Sequence, residues 1–273
     1  MASHLASVGW EVRALCRSQP TIEGDRVSHL RLDLATGPTP EMLEGADVLV
    51  HAAYDFSCTR WSDILRVNVD GSRRLLRAAR SAGVDRIVCV STVAAFPGAR
   101  SMYGRAKLEI ERLALDLGAV VMRCGLVWGP QGGAMFGALR QAVERLPVVP
   151  LVAPADLRLM LVCEDDVVLL LERLLDRWPE RPGSLFVAGS ADTVKVGELL
   201  RSLTPSTGAH RRFVPVPWRP VWFALRCLEK LGVSPPFRSD SLLSLIGTDA
   251  QPLARATAAP EHYGVCFRAY SPA

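Results

Sequence analysis

Residues 87–130 decide the fold: they begin with the apolar run Ile87-Val-Cys-Val-Ser-Thr92, continue through Tyr103-Gly-Arg-Ala-Lys107, and end with Val120-Val-Met-Arg-Cys-Gly-Leu-Val-Trp-Gly-Pro130. Apolar runs of this kind are typical of strands that are buried on both faces of a parallel sheet. The residues between them, 102–117, are predicted to form a helix. The sequence therefore predicts an open α/β sheet, and such sheets bind ligands at the carboxyl ends of their strands.

Three side chains at this edge have the chemistry of proton transfer. Tyr103 and Lys107 are four residues apart, so a helix places both on one face. An ammonium group near a phenol favours the phenolate, and we expect Lys107 to lower the pKa of Tyr103 from its reference value of about 10. Tyr103 would then donate or accept a proton near neutral pH. Thr92 would hydrogen-bond the same substrate oxygen.

Thr92, Tyr103, Lys107 and the segment 123–130 resemble the extended short-chain dehydrogenase/reductase family, of the NAD-dependent epimerase/dehydratase type. The resemblance extends from about Ala2 to Ala188. It implies that Thr92, Tyr103 and Lys107 are catalytic, and that Tyr103 and Lys107 also contact the cofactor.

The resemblance also implies the architecture. We expect a Rossmann-like, doubly wound parallel sheet in an NAD(P)-binding core at residues 1–190. A smaller substrate-binding cap follows at 191–273 and is partly interleaved with 131–160. The alternation of strands and helices along the chain favours the same α/β class independently of the resemblance.

The first residues depart from the family pattern. Residues 1–9 are typical of the end of a helix with Gly9 as its C-cap, and Trp10 to Arg17 of a strand. In the family, a strand and a G-x-x-G-x-x-G turn precede that helix, and the turn holds the cofactor pyrophosphate. This sequence contains no such turn, and Ala2 falls at the third glycine position. The resemblance thus implies a core that lacks its first, central strand.

Two interpretations of this start stay open. Met1 is an internal methionine of a longer protein, which we favour, or the protein is short and binds cofactor poorly or not at all. Because the central strand and the turn are lacking, we expect the 273-residue form to be poorly soluble and to bind no dinucleotide.

The residues after the next two strands are candidates for the adenosine end of the cofactor. Arg17 and Ser18 stand at the end of the strand that begins at Trp10. A carboxylate at this point would bind the ribose of NAD. An arginine and a serine suit a 2′-phosphate better, so NADP is slightly favoured over NAD. By resemblance, Asp33 and Leu34 lie against the adenine.

The strand of residues 46–53 ends in small residues. By resemblance, Ala52 and Ala53 allow the cofactor to pass closely. His51 is interpreted as a packed residue at the tip of the strand rather than as a catalytic one. Asn68 and Gly71 match a family asparagine-x-x-glycine pattern in which the asparagine supports the site.

One position bears on the substrate. Nucleotide-sugar members of the family usually carry an asparagine where Leu126 stands, so Leu126 favours a more apolar substrate. The predicted function is an NAD(P)-dependent oxidoreductase that acts on a secondary alcohol or ketone. A nucleotide-sugar epimerase or dehydratase is the alternative within enzymes, and a catalytically silent binding or scaffold protein is the alternative of another class.

Composition narrows the remaining classes. The formal net charge of +4 is too small and too scattered to indicate nucleic acid as a partner. No apolar run reaches membrane-spanning length, and the seven cysteines are widely spaced without metal-ligand spacing. We therefore expect a cytoplasmic protein with reduced thiols, no bound metal and a small-molecule substrate, and we leave a homodimer open.

The C-terminal region carries an apolar stripe at helical spacing, formed by Val221, Trp222, Leu225, Leu228 and Leu231. We expect this helix to pack on the core and line the substrate pocket. Attachment to a membrane surface or to a partner is the alternative.

Overall fold

Residues 1–18, 25–130, 132–152, 157–179, 183–204, 211–233, 235, 237–247 and 263–272 are described by the computed structural model. The strands in this part of the chain are β1 Val12–Cys16, β2 Val27–Arg31, β3 Val48–His51, β4 Arg86–Thr92, β5 Val120–Cys124, β6 Leu126–Trp128, β7 Val148–Leu151, β8 Arg158–Leu159, β9 Leu161–Cys163, β10 Leu185–Ala188, β11 Val194–Lys195 and β12 Arg212–Pro215. The α-helices are α1 Ala2–Ser7, α2 Trp61–Ile64, α3 Asp70–Ser81, α4 Met102–Asp116, α5 Ala134–Arg145, α6 Glu164–Asp176, α7 Val196–Ser202, α8 Trp218–Lys230 and α9 Ser239–Gly247.

The largest sheet has four strands in the order β10-β5-β4-β3. Strands β3 and β4 pair in parallel, with Val48 opposite Arg86 and His51 opposite Cys89. Consecutive residues of β4 and β5 are fully buried, including Ile87, Val88 and Val121. A strand with helices on both of its faces buries successive side chains, whereas a half-exposed strand buries alternate ones. The predicted α/β sheet is therefore confirmed.

Strands β1 and β2 form a separate parallel pair, with Val12 opposite Val27. Within the described residues, β1 hydrogen-bonds to β2 and to no other strand, and β3 does so only with β4. The predicted helix before β1 is present, and Gly9 has a φ of +105° at its end. Strand β2 ends at Arg31, which leaves Asp33 in the turn that follows it.

A cavity of about 1120 Å³ lies against β1 and β3. It is lined by every residue from 8 to 17 and by every residue from 45 to 55. A cavity over one face of a strand would touch alternate residues, because successive side chains point to opposite faces. This cavity therefore runs along the backbones of β1 and β3, which do not pair with each other among the described residues.

Met1 lines this cavity. We predict that a strand added in front of Met1 stabilises the folded protein. An added segment of about five or six apolar residues, ending in a Gly-x-x-Gly turn, should pair with both edges, since each buried unsatisfied backbone group costs roughly 1–3 kcal/mol. Urea unfolding and fluorescence titration with NADPH should show higher stability, better solubility and cofactor binding than in the 273-residue chain.

The control for this prediction is an extension of equal length with prolines at alternate strand positions, which cannot form the ladder. The prediction fails if the 273-residue chain is itself a stable monomer or dimer that binds NAD(P)H in the micromolar range.

The described structure divides into two compact units. The first comprises Met1–Ser91, Ala106–Arg123 and Val168–Phe186, and the second comprises Thr92–Arg105, Cys124–Val167 and Val187–Ala273. The sequence predicts a boundary at residue 190, with partial interleaving at 131–160. The observed units alternate more often along the chain, because segments that follow β4 and β5 belong to the second unit. Residues 248–262 of the predicted cap lie outside the described residues.

The second unit contains three strand pairs, β6 with β9, β7 with β12 and β8 with β11. The single strand predicted through residue 127 is divided at Gly125, where a Cβ would lie 2.7 Å from the Met160 carbonyl oxygen. Leu126 N–H donates to that oxygen at 2.8 Å, so the chain leaves β5 and begins β6. The core of this unit is a buried apolar cluster that includes Phe136, Val143, Leu157, Leu161 and Leu199.

Helix α8 contains the predicted apolar stripe, and no residue of this helix is buried. Phe223 is 65% exposed and Leu231, which follows the helix, is 78% exposed. The expectation that the whole stripe packs on the core is wrong, because Leu228 and Leu231 lie on the exposed side. Among the described residues, no helix is long and apolar enough to cross a membrane.

Candidate active site

Tyr103 and Thr92, which the sequence predicts to be catalytic, lie within hydrogen-bonding reach of each other in the second unit. Thr92 is the last residue of β4, and Tyr103 is the second residue of α4. Burial raises the pKa of Tyr103 well above its usual value near 10, Cys124 adds to this effect, and a hydrogen bond with the Thr92 side chain opposes it. The phenol is therefore protonated at neutral pH and hydrogen-bonded to Thr92.

The direction of this pKa shift corrects the expectation from the sequence. We expected Lys107 to lower the pKa of Tyr103, whereas burial dominates and raises it. Lys107 is itself buried, and its Nζ donates to the Val90 carbonyl oxygen at 2.9 Å. The ammonium also lies 5.6 Å from the centre of the Tyr54 ring. These contacts fix the lysine side chain at the end of β4.

Two small residues place the tyrosine, and neither was identified from the sequence. A Cβ at Gly104 would collide with the Ala94 carbonyl oxygen, so only glycine allows α4 to approach the segment after β4 this closely. The Ser101 hydroxyl accepts a hydrogen bond from Gly104 N–H at 3.0 Å and caps the helix. A serine three residues before a glycine is too common a pattern to have indicated this role.

The first unit brings together five of the predicted cofactor residues. Those that line the cavity beside β1 and β3 are Arg17, Asp33, Leu34, Ala52 and Ala53. Ser18 is exposed and is not among the residues that line it. Asp33 Oδ1 accepts a hydrogen bond from Ala35 N–H at 2.8 Å, so this carboxylate closes its own turn.

Asp55 is a residue of this region that sequence reasoning missed. Its Oδ2 accepts a hydrogen bond from Arg17 Nη1 at 2.7 Å. Partial burial acts to raise the pKa of Asp55, but hydrogen bonds from Ser57 and the charge of Arg17 lower it overall. The carboxylate is ionised at neutral pH and holds the exposed guanidinium beside the cavity.

Asn68 supports the site, as its sequence pattern predicts. It is fully buried in the π-helical turn Leu65–Val69. Its Oδ1 accepts from Asp55 N–H at 2.6 Å, and its Nδ2 donates to the Asp55 carbonyl oxygen at 3.1 Å. Gly71 lies in α3, and a Cβ there would be 2.5 Å from the Leu34 carbonyl oxygen. The glycine therefore lets α3 approach the turn after β2.

The residues present fit a nicotinamide dinucleotide at part of its length. Arg17 and Asp33 supply polar groups on one cavity, and Lys107 supplies a buried ammonium. The sequence contains no glycine-rich turn for the pyrophosphate. The site residue predicted for the substrate, Leu126, packs partly buried against the apolar cluster of the second unit.

The interpretation of His51 as a packed residue is confirmed. It is 1% exposed, and its Nε2 lies 2.8 Å from the Ser72 Oγ. Burial, and then the charge of Lys107, lower its pKa from 6.5 to about 3. His51 is therefore neutral at physiological pH and is a weak base.

We predict that His51 makes the protein less stable as the pH falls. His51 binds a proton near pH 6.5 in the unfolded chain but only near about pH 3 in the folded chain. The contribution of neutral His51 to the free energy of unfolding is therefore full above pH 6.5 and is lost as the pH falls from 6.5 towards 3. The slope from this residue is about 1.4 kcal/mol per pH unit. Urea unfolding at about pH 5 and about pH 7 should show a smaller difference in the His51→Asn variant.

The control for this experiment is His4→Gln, which changes an exposed histidine and leaves His51 in place. Equal pH dependence in the parent chain and in His51→Asn would contradict the prediction.

Among the described residues, no group of three or more His, Cys, Asp or Glu side chains is arranged to hold a metal ion. The seven cysteines are all free thiols.

The sheet with its buried central strands is of the Rossmann-like α/β class. The chain belongs to the NAD dependent epimerase/dehydratase family, whose model matches residues 1–177.

Two curated relatives are reductases. The chain is 33% identical over 169 residues to the ceramide reductase of Caulobacter vibrioides, a match that covers 59% of this chain and 52% of the relative. It is 30% identical over 170 residues to the 4-hydroxy-2-methyl-3-oxo-4-farnesyl-3,4-dihydroquinoline-1-oxide ketoreductase of Stigmatella aurantiaca, covering 53% of this chain and 51% of the relative. The chain thus spans about half the length of these curated relatives.

Solved structures show the same fold at lower identity. The UDP-glucose 4-epimerase of Thermus thermophilus, in complex with NAD, superposes with a TM-score of 0.62 at 19% identity, covering 89% of this chain and 92% of that chain. The NAD-dependent NDP-hexosamine 5,6-dehydratase TunA superposes with a TM-score of 0.64 at 21% identity, covering 93% and 94%.

Proposed function

We propose that the protein reduces a ketone to a secondary alcohol with a nicotinamide cofactor, and that Tyr103 is the proton donor. The observation that carries this proposal is the hydrogen bond between the Tyr103 phenol and the Thr92 side chain. Reduction consumes one proton at the carbonyl oxygen, and a phenol placed beside a second hydroxyl can supply it. The two curated relatives, both named as reductases, support the same reaction class.

The chain's own residues have separable roles in this reaction. A bound nicotinamide dinucleotide supplies the hydride. Thr92 orients the substrate oxygen by hydrogen bonding, and Tyr103 gives its proton to that oxygen. Lys107 is one helical turn further along α4 and holds the nicotinamide ribose. Its buried ammonium is positioned by the Val90 carbonyl oxygen and does not need to be ordered when the cofactor binds.

We predict that Tyr103→Phe abolishes turnover in a cofactor-binding form of the protein and leaves cofactor affinity nearly unchanged, because it removes only the transferable proton. Since burial raises the pKa of Tyr103, the reductive kcat of the parent should show no ionisation of this group between about pH 6 and about pH 9. Ketone reduction followed by NADPH absorbance measures both.

The matched control for this variant is Tyr270→Phe, which removes another phenol of the second unit, one that is hydrogen-bonded to Ser202. Turnover of Tyr103→Phe within a few-fold of the parent would show that Tyr103 is not the acid.

We further propose that the cofactor is NADPH in preference to NADH. Arg17 is more than half exposed at the rim of the cavity, and its partner Asp55 holds the guanidinium in place. A guanidinium binds a phosphate dianion through two parallel hydrogen bonds. The same Asp55 is the carboxylate that would accept from ribose hydroxyls, so NAD remains the alternative cofactor.

The Arg17→Ala substitution should weaken NADPH binding by about tenfold, as expected for the loss of one charge-assisted pair, and change NADH binding much less. Fluorescence titration of both cofactors on a cofactor-binding form measures this difference. Arg31→Ala is the control, because Arg31 is an exposed arginine at the end of β2. Equal affinity of the parent for both cofactors, or tighter NADH binding, would remove Arg17 from the site.

An epimerase or dehydratase that acts on a nucleotide sugar is the second candidate, because the family description and the superposed structures include such enzymes. Assaying NADPH oxidation with apolar ketones, and sugar conversion with nucleotide sugars, separates the two. A catalytically silent protein of the same fold would show neither activity.

We also propose a cytoplasmic location, since free thiols suit a reducing compartment. Sedimentation would test for a homodimer, which the sequence leaves open.

A further inference from the structure

The first N–H groups of α4 are held by a carboxylate from the far end of the chain. Asp240 Oδ1 accepts from Met102 N–H at 2.6 Å, and its Oδ2 accepts from Tyr103 N–H at 3.0 Å. The next N–H group, that of Gly104, donates to Ser101. The first three donors of the helix are therefore all bound, two of them by a residue 138 positions away from Met102 in the sequence.

This contact acts on the backbone of the proposed proton donor itself. The initial N–H groups of a helix have no partner within the helix, and the ends of helices fray when these groups are not capped. A carboxylate is favoured there because it opposes the positive end of the helix dipole. Since Tyr103 is the second residue of α4, opening the first turn would move the phenol away from Thr92.

Asp240 is itself held in a fixed place. It is the second residue of α9, which buries Leu242 and Leu245. The preceding residue, Ser239, is buried and donates from both its N–H and its Oγ to the Glu229 carboxylate, at 2.8 and 2.7 Å. Glu229 lies in α8, so a series of hydrogen bonds connects α8 through α9 to the start of α4.

We propose that Asp240 is a positioning residue for Tyr103: it holds the first turn of α4 so that the phenol keeps its hydrogen bond with Thr92. The role in catalysis rests on the proposed function, whereas the structural role does not. The proposal also assigns a task to the C-terminal segment, which the family model, ending at residue 177, does not cover.

The first test does not require activity. The chain has four tyrosines, so incorporation of 3-fluorotyrosine should give four ¹⁹F resonances, and Tyr103→Phe identifies the one from Tyr103. We expect Asp240→Ala to shift or broaden this resonance, and Asp240→Asn to have a smaller effect because an amide keeps one carbonyl acceptor. Asp192→Ala, at an exposed aspartate of the same unit, should leave it unchanged.

The second test measures ketone reduction in a cofactor-binding form. Displacement of a reacting group by about 1 Å costs up to about 100-fold in rate, so Asp240→Ala should lower kcat by at least about tenfold while the KM for NADPH stays within about twofold. Asp240→Asn should recover part of the loss. A cap that serves only stability would lower the urea midpoint and leave kcat of the folded protein unchanged.

The outcomes separate this proposal from the proposed function. An unchanged Tyr103 resonance in Asp240→Ala, or an unchanged kcat in an active enzyme, overturns the positioning role. If Asp240→Ala shifts the Tyr103 resonance but the parent protein reduces no ketone, Asp240 holds Tyr103 and the proposed function is rejected.

Discussion

Helix α4 approaches the segment after β4 so closely that position 104 has no room for a side chain, and the candidate site depends on this approach. It brings Tyr103 within hydrogen-bonding reach of Thr92. Ser101 and Asp240 then bind the N–H groups that the start of the helix leaves without intrahelical partners. A larger residue at position 104 would separate the helix from Ala94 and would therefore displace the phenol.

Burial governs the electrostatics of the site more than charge does. The pKa of Tyr103 is raised and that of His51 is lowered, and in both cases desolvation is the larger cause. Each shift favours the neutral form, as expected where water is excluded. The Cys89 thiol follows the same rule, since burial raises its pKa to about 11. The side chains of Tyr103, His51 and Cys89 are therefore neutral at neutral pH, whereas a backbone carbonyl stabilises the buried ammonium of Lys107.

The cavity between the edges of β1 and β3 gives the first unit a second constraint. Strands β1 and β2 form one sheet and β3 belongs to the four-stranded sheet, and the cavity lies against β1 and β3. Arg17, Asp33 and Ala53 line the same cavity, so the residues expected to contact a cofactor depend on how these edges are held.

The sequence by itself determined the class of fold, because near-continuous apolar runs are typical of parallel strands that are buried on both faces. It also predicted the Thr92, Tyr103 and Lys107 set and the structural role of Asn68, since these depend on spacing within or between neighbouring elements. Only the tertiary structure decided the direction of the Tyr103 pKa shift, the pairing of Arg17 with Asp55 and the contact of Asp240 with α4. Each of these depends on the surroundings of one polar side chain or on contacts between residues far apart in the chain, and a local pattern indicates neither.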